Sequence, residues 1–317
     1  MINLIKQMLR GTYFYVLYKN LQGISFEISP KKFISNKYKY FYGTEMDFST
    51  PKKLSEKIQS LKIYYYPNSE KVIQATDKYT LHDFLKEKDL SYLAVPYLQV
   101  YNRPEDFDIS ILPDEFVLKK TNASGLNLIV KNKNKMSEKA IKKKIKYWLT
   151  FDYGKISHEP HYSKAIDKII CEPFFENLGN EYRFFMVNGE VGFIQVIIWD
   201  WKQKGQSQKP NNEFTIEGHS KHYRLHFDKE WNLYWKDEDT PNVEITKPRN
   251  FDYLKQVSEE VSKDFPVVRV DFNEIDGQIK ITELTFTPAN GYLELLRQKP
   301  DLDIELGKKL RIEDYFE

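Results

Sequence analysis

The feature that most constrains the fold lies near the end of the chain, in residues 266–290, PVVRVDFNEIDGQIKITELTFTPAN. Val267–Phe272 and Gln278–Phe286 alternate apolar and polar residues and are rich in β-branched types, which is typical of strands. The residues between them, NEIDG, have turn chemistry. The sequence therefore predicts a β-hairpin in this stretch.

This hairpin carries one arginine and two carboxylates among mostly apolar neighbours. Arg269 and Asp271 share a face, because side chains repeat every two residues in a strand. The same alternation predicts two faces for the second strand: Ile281, Glu283 and Thr285 on one, Thr282 and Leu284 on the other. Buried charges are costly unless they are paired or bound to a metal, and carboxylate oxygens suit magnesium. The hairpin is either a magnesium site or an ordinary hairpin whose charges face water.

A plain hairpin would keep the two carboxylates apart. Counted from the predicted turn, Glu283 would lie opposite roughly Val267 rather than opposite Asp271. The carboxylates converge on one ion only if the strands twist or contain a bulge.

Composition indicates a soluble globular protein and gives no argument for a nucleic-acid partner. The 317 residues are 41% hydrophobic and 30% charged, with a net charge of +2. The chain is long enough for a large core or two domains. A single cysteine, Cys171, excludes a disulfide within the chain and fits a reducing cytoplasm. Its apolar surroundings favour a packed role over a nucleophilic one.

The N-terminal stretch MINLIKQMLRGTYFYVLYKN has apolar residues at helical spacing with basic residues between them. It is too polar for a membrane span, which needs roughly 18 apolar residues, and no small-residue cleavage site follows it. It predicts either a helix packed on the domain or an amphipathic helix at the inner face of the membrane.

The remaining segments mix helices and strands. Two helices are predicted to start at Thr50-Pro51 and at Thr76-Asp77-Lys78. Further helices are predicted over Ser137–Leu149, within 248–265 and in the tail 291–317. Strands are predicted at Tyr92–Val100, Phe116–Lys119, Leu126–Val130, Lys168–Phe175, Glu181–Val187, Glu190–Ile198 and Arg224–Trp235. Residues 200–222 are polar and loop-like. Frequent hairpins among helices predict an α+β fold.

One of the predicted hairpins has a tip of small, polar residues, Thr121–Gly125. Such a tip lets backbone N–H groups approach phosphate oxygens, and Lys119 at the strand end adds a positive charge. With one glycine and no Walker pattern, the stretch taken alone also fits an ordinary hairpin.

The order of these signals resembles the ATP-grasp superfamily, and more closely the TupA-like ATP-grasp family of polysaccharide gene clusters. The resemblance runs from about Leu54 to Pro288, in the phrases LSEKIQSLKIYY, ATDKYTLHDFL, LPDEFVLKKTNASG, HYSKAIDKIICEPF, EYRFFMVNGEVGFIQV and FPVVRVDFNEIDGQIKITELTFTP. It implies two α+β subdomains with ATP between them. We expect a lead-in at 1–110, a small subdomain at 111–175 with the phosphate loop, and a C-terminal subdomain at 176–317 with the metal site.

The resemblance also implies roles for individual residues. For ATP these are Lys78 and Lys119 on the phosphates, Thr121, Asn122, Ser124 and Gly125 in a mobile loop, Glu172 on the adenine amino group, and Pro173 and Phe174 as the hinge. Arg269 would face the transferred phosphate, and Asp271, Glu283 and Thr285 would hold Mg²⁺. Two positions depart from the superfamily pattern, Thr285 where Asn is usual and Ala123 where glycine is common.

The implied activity is that of an ATP-dependent carboxylate–amine ligase. It would activate a uronic-acid carboxylate of a surface saccharide or nucleotide sugar as an acyl phosphate and join it to an amino acid or small amine. Candidate acceptor contacts are Arg183, which would act with Arg269 in catalysis, and His161, His222 and Arg224. For each, a surface salt bridge is the alternative. A sugar phosphotransferase, a glycosyltransferase and a nucleotide-binding scaffold without turnover remain open as other functions.

Overall fold

The computed structural model describes residues 13–176, 178–199, 222–241 and 245–316. The beginning of the predicted N-terminal helix, residues 1–12, lies outside these ranges, as do residues 200–221 of the predicted polar loop. Among the described residues, no helix has the length and apolar character that crossing a membrane requires.

Helices and strands are mixed along the described ranges. The α-helices are α1 (Tyr13–Ile28), α2 (Pro30–Tyr42), α3 (Leu54–Tyr64), α4 (Glu70–Thr76), α5 (Leu81–Glu87), α6 (Glu138–Leu149), α7 (Tyr153–Ser157), α8 (Pro160–Lys164), α9 (Phe251–Ser262), α10 (Glu294–Gln298) and α11 (Pro300–Lys308). The strands are β1 (Gln99–Tyr101), β2 (Phe116–Lys120), β3 (Asn127–Val130), β4 (Ile169–Pro173), β5 (Leu178–Val187), β6 (Glu190–Trp199), β7 (His222–Phe227), β8 (Leu233–Lys236), β9 (Val267–Ile275) and β10 (Gln278–Thr285).

The strands form two separate antiparallel sheets. The smaller sheet has four strands in the order β1-β4-β2-β3, and the larger has six in the order β10-β9-β5-β6-β7-β8. This architecture confirms the predicted α+β class. The chain passes from the small sheet to the large one between β4 and β5, close to the boundary expected at residue 175, whereas β1 joins the small sheet from before residue 111.

Each sheet has its own hydrophobic core. The larger core packs α3, α5 and α9 against the six-stranded sheet through residues such as Ile58, Leu85, Val257 and Phe272. The smaller core packs α6 against β2 and β4 and includes Cys171, which is fully buried. Because apolar surface is buried on both sheets independently, a cleft is left where they meet.

A third, smaller core attaches the N-terminal helices α1 and α2 to the rest of the molecule. It contains Phe26, Ile34, Tyr38 and Met46 together with Tyr292 from the C-terminal part of the chain. The Tyr38 hydroxyl also lies 2.8 Å from Ser55 Oγ in α3. The N-terminal helices are therefore packed on the domain.

Several predicted segments were wrong in extent: the strand predicted at Arg224–Trp235 is the two strands β7 and β8, and the helix predicted to start at Thr76-Asp77-Lys78 begins at Leu81. The helix expected from Thr50-Pro51 begins at Leu54, because Asp47 Oδ1 accepts the backbone N–H of Thr50 at 3.0 Å and holds it in a turn. The strand expected at Tyr92–Val100 is confined to β1 and is preceded by a 3₁₀ turn at Ser91–Leu93. Pro96 lies between them and supplies no backbone donor for a strand.

Candidate active site

The main cleft lies between the two sheets and has a volume of about 970 Å³. The small sheet lines it with Val117, Lys119 and Ile129, and the large sheet lines it with Arg183 and Asp271. Further predicted site residues on its wall are Lys78, Ser124, Gly125, Glu172, Pro173, Phe174 and Glu283. The tertiary fold thus brings most of the predicted nucleotide and metal residues to one cleft.

The hairpin β9–β10 brings the two carboxylates together through a bulge. The register shifts between Ile281 and Glu283, so that Glu283 lies opposite Asp271. Thr282 is the extra residue, and its hydroxyl donates to the Asp271 carbonyl at 3.2 Å. The expectation of Glu283 opposite Val267 was wrong, because the strands run up to Ile275 and Gln278 around a turn of only Asp276 and Gly277, and the bulge then shifts the pairing by one further residue.

The bulge also changes which side chains of β10 share a face. Ile281 and Leu284 are both buried in the large core, although simple alternation separates them. Glu283 points away from that core with Thr285, so the predicted grouping of Ile281 with Glu283 was wrong. The extra residue resets the two-residue period, because alternation restarts after a bulge.

Arg269 is the centre of the charged cluster. Its Nε and Nη2 atoms donate to the two oxygens of Asp271 at 2.6 and 2.5 Å. Nη2 also donates to Glu283 Oε1 and to Thr285 Oγ1, each at 3.0 Å. The guanidinium group is thus shared by two carboxylates and a hydroxyl, which satisfies charges that would be costly to bury alone.

A second arginine continues this row on the neighbouring strand. Arg183 lies opposite Asp271 in the β5–β9 pairing, and its Nε is 3.7 Å from Asp271 Oδ2. Arg183 is held by Glu181, 2.5 Å away, and by Gln195 Oε1 at 3.3 Å. One arginine and two carboxylates, Arg183, Asp271 and Glu283, therefore lie side by side on three adjacent strands at the floor of the cleft.

The two carboxylates differ in their electrostatic surroundings. Burial raises the pKa of Asp271 and outweighs the opposing effects of Arg269 and Arg183. Burial also disfavours ionisation of Glu283, but the positive charges of Lys78, Arg269 and Arg183 lower its pKa to about 2. Glu283 is therefore the carboxylate that is held firmly as an anion.

The two predicted phosphate-binding lysines lie in the main cleft at different places. Lys119 Nζ is 2.5 Å from Glu172 Oε2 on the adjacent strand β4. Lys78 Nζ is 3.8 Å from Glu283 Oε2 and donates to the Ala123 carbonyl at 2.8 Å. Lys78 therefore connects the loop after β2 to the charged hairpin.

The residues of the Thr121–Gly125 loop have two different positions. Thr121 Oγ1 donates to the Ile166 carbonyl at 3.0 Å, and Asn122 Nδ2 donates to the Tyr162 carbonyl at 3.2 Å. Both side chains are buried, and neither is part of the cleft wall, so they anchor the loop. Ser124 and Gly125 line the cleft, and Gly125 has a φ of +74°, which favours glycine.

The connection after β4 forms the opposite part of the wall. Pro173 and Phe174, the residues predicted as the hinge, line it, and Lys131 Nζ lies 5.0 Å from the centre of the Phe174 ring. Sequence reasoning missed Lys131, Asn273 and Glu181 as cleft residues. The alternation of Glu181 with Arg183 in β5 was the available signal for Glu181.

Of the acceptor candidates, only Arg183 lines the main cleft. His161 is fully buried among Tyr66, Tyr162 and Phe286. Arg224 on β7 forms ion pairs with Asp237 at 2.8 Å and with Glu294 at 2.7 Å. This arrangement agrees with a salt bridge, the alternative to an acceptor contact. His222 begins the same strand, and neither residue lines a cavity described here.

The donor set fits magnesium that is bound together with phosphate. No group of three or more His, Cys, Asp and Glu side chains in the described ranges could hold a metal by itself. Mg²⁺ usually takes one or two protein carboxylates and completes its shell with water and substrate phosphates. Asp271 and Glu283, adjacent at the cleft wall, provide that number of carboxylates.

The two sheets, the cleft between them and its lysine, arginine and carboxylate residues define a protein of the ATP-grasp class. A model of the TupA-like ATP-grasp family matches residues 56–311. The chain belongs to that family, which confirms the resemblance seen in the sequence.

Several solved ligase structures show a distant likeness to this chain. D-Alanine–D-alanine ligase from Bacillus anthracis has 15% identity over 76% of this chain and 67% of its own, with a TM-score of 0.45. The same enzyme from Helicobacter pylori has 15% identity over 82% and 67%, with a TM-score of 0.40. Phosphoribosylamine–glycine ligase from Thermotoga maritima has 11% identity over 76% and 56%, with a TM-score of 0.43. No curated protein matches the sequence.

Proposed function

We propose that this protein is an ATP-dependent carboxylate–amine ligase. It binds ATP and magnesium in the main cleft and transfers the terminal phosphate to a carboxylate, which leaves ADP. The amine then attacks the acyl phosphate to form an amide, and inorganic phosphate and a proton are released. The carboxylate belongs to a uronic-acid residue of a surface-polysaccharide precursor, and the amine is an amino acid or a small amine.

The observation that carries this proposal is the row of charges across β5, β9 and β10. Arg183, Asp271 and Glu283 lie side by side, and Arg269 contacts both carboxylates. Phosphoryl transfer needs positioning and charge neutralisation more than covalent catalysis. Arginines beside a pair of carboxylates supply both a phosphate clamp and a magnesium site.

The same cleft supports the proposed roles of the other residues. Lys78 and Lys119 add positive charge where phosphates would lie, and Glu172, Pro173 and Phe174 provide a carboxylate and an apolar wall for the base. Bound magnesium would neutralise phosphate charge at Asp271 and Glu283. Thr285 contacts Arg269 and Glu283 and remains proposed as an additional oxygen donor.

Calorimetry of ATP binding tests the nucleotide site directly. We expect magnesium-dependent binding in the parent and weaker binding in both Asp271→Asn and Glu283→Gln. Glu259→Gln, on the outer helix α9, is the control and should bind as the parent does. No binding in the parent, or binding indifferent to both cleft variants, would overturn the proposal.

A coupled assay then tests the reaction. ADP release that requires a uronic acid and an amine together, with an amide product seen by mass spectrometry, is the expected result. ADP release with the sugar alone and a phosphorylated sugar product would instead identify a sugar phosphotransferase. Release of a nucleoside diphosphate from a sugar donor would identify a glycosyltransferase.

A further inference from the structure

A second cavity adjoins the main cleft at its charged end. Its volume is about 410 Å³, within the range of small-molecule sites. Ser124 and Glu283 line both cavities, and Arg269 and Thr285 line the second one. A molecule in the second cavity would therefore lie beside the residues proposed to act on the transferred phosphate.

The wall of this cavity comes partly from the N-terminal helices. Lys19 on α1 and Lys37 and Phe41 on α2 line it. These residues precede position 56, where the match to the family model begins. The residues at the charged end of the cavity, Arg269, Glu283 and Thr285, therefore belong to the region that matches the family model. The N-terminal part of the wall lies before that region.

Aromatic contacts attach this part of the wall to the protein body. His158, between α7 and α8, is buried with its ring 4.5 Å from that of Phe33 and 5.5 Å from that of Phe26. Lys37 Nζ lies 3.4 Å from His158 Nδ1 and 4.7 Å from the centre of the Phe33 ring. These contacts give the Lys37 side chain a defined position at the cavity.

Two further contacts hold α1 and α2 against the rest of the protein. The Phe41 and Tyr292 rings stack with their centres 4.7 Å apart, and both residues line the cavity. At the far side of α1, Lys155 Nζ donates to Glu27 Oε2 at 2.9 Å. The N-terminal helices therefore form a built wall of the cavity.

The chemistry of the lining favours an anionic sugar. Lys19, Lys37 and Arg269 supply three cationic groups against the two carboxylates of Glu159 and Glu283. Tyrosine and phenylalanine rings offer the apolar faces and hydroxyl groups that suit a polyhydroxylated ring. Glu159 accepts a hydrogen bond from the Thr287 hydroxyl and can accept others from sugar hydroxyls or from an ammonium group.

We propose that the second cavity binds the carboxylate-bearing sugar and that Lys19 and Lys37, on the N-terminal helices, recognise its negative charge. This inference rests on the proposed function, because it places the sugar beside the phosphate that the ligase would transfer. The N-terminal helices are then determinants of acceptor specificity, whereas ATP is bound by the family-matched region.

Saturation-transfer NMR on the full chain, with magnesium and a non-hydrolysable ATP analogue, tests the inference. The probes are D-glucuronate and D-galacturonate, with D-glucose as the neutral comparison. We expect the uronates to bind and glucose to bind much more weakly. Lys19→Gln and Lys37→Gln should each weaken uronate binding at least about fivefold, which is the effect of losing one charge-assisted contact.

Lys32→Gln is the matched control, because Lys32 is an exposed lysine on α2 and is not part of the cavity wall. It should bind uronates as the parent does. All three variants should be folded and should bind ATP with the affinity of the parent. Absence of uronate binding, equal binding of glucose, or binding indifferent to Lys19→Gln and Lys37→Gln would each overturn this inference. Intact magnesium-dependent ATP binding in the same samples would show that the nucleotide site survives that outcome.

Discussion

Glu283 lies directly opposite Asp271 across the β9–β10 hairpin, and Arg269 Nη2 contacts both carboxylates, at 3.0 and 2.5 Å. The pairing follows from the two-residue turn at Asp276 and Gly277 together with the bulge at Thr282. All three charged groups are desolvated by the surrounding strands, and their mutual contacts compensate for this. Without nucleotide, the arginine serves as the counter-ion of the proposed magnesium ligands.

Replacing this arginine should destabilise the protein. In Arg269→Met, the buried Asp271 and the half-buried Glu283 lose their shared cation, and we expect the free energy of unfolding to fall by about 3–5 kcal/mol. Magnesium should restore part of the loss, since it offers the carboxylates another cation. Urea unfolding with and without magnesium measures both effects.

Arg103→Met is the control for that prediction, because Arg103 pairs with Asp106 at the surface, at 2.7 Å. We expect a much smaller loss of stability than in Arg269→Met, because exposed ion pairs contribute little. Equal losses in the two variants, or no response of Arg269→Met to magnesium, would contradict the proposed role of the cluster.

Lys119→Met should weaken ATP binding by about tenfold or more. The variant removes a cation that a phosphate would contact through a charge-assisted hydrogen bond. It also leaves Glu172, now 2.5 Å from Lys119 Nζ, without that partner. Lys142→Met, which removes only a surface contact to Glu138, should bind ATP normally in the same titration. Parent-like affinity in Lys119→Met would exclude this lysine from the nucleotide site.

His161 should make stability depend on acid pH. Burial, and secondarily Lys62, lowers its pKa from the ordinary 6.5 to about 3. Neither ring nitrogen has a hydrogen-bond partner among the described residues. The unfolded chain binds a proton below pH 6.5 that the folded protein does not bind until about pH 3, so stability falls as pH decreases through this window.

As the pH decreases below 6.5, the melting temperature of the variant His161→Phe should therefore fall less steeply than that of the parent. Tyr162→Phe, in the same cluster, removes no histidine and should keep the slope of the parent. Melting curves across the acid range measure this. An unchanged slope in His161→Phe would show that the imidazole does not titrate differently on folding.

Gly23→Ala should disturb sugar binding and leave ATP binding intact. A Cβ atom at Gly23 would lie 2.8 Å from Lys155 Cγ and 2.9 Å from the Lys155 carbonyl oxygen, so α1 must move away from α7. Because α1 carries Lys19, we expect uronate affinity to fall severalfold by the same NMR measurement. Ser25→Ala, exposed on the same helix, should have no effect. A parallel loss of ATP affinity would contradict the separation of the two cavities.

Much of the site could be predicted from local sequence. The α+β class, the family and the cleft positions of Lys119, Glu172 and Asp271 follow from short motifs in a recognisable order. Such predictions succeed where one strand or one loop carries the whole signal, as Arg269 and Asp271 do at two-residue spacing.

The expectations that failed depended on more than one segment. Counting residues from a five-residue turn put Glu283 opposite Val267. The observed turn is only Asp276 and Gly277, and the bulge at Thr282 shifts the register by one more residue; both depend on pairing with the partner strand. His161 was a plausible sugar contact in the sequence, yet tertiary packing buries it among aromatic rings.

The sequence by itself thus determined the family, the fold class and the residue types of the proposed nucleotide site, because periodicity and motif order are local properties. Only the tertiary structure decided that Glu283 pairs with Asp271 and that Lys19 and Lys37 line a cavity with Arg269. The physical reason is that strand register and helix docking are set by burial of apolar surface between segments far apart in the chain, which no local pattern records.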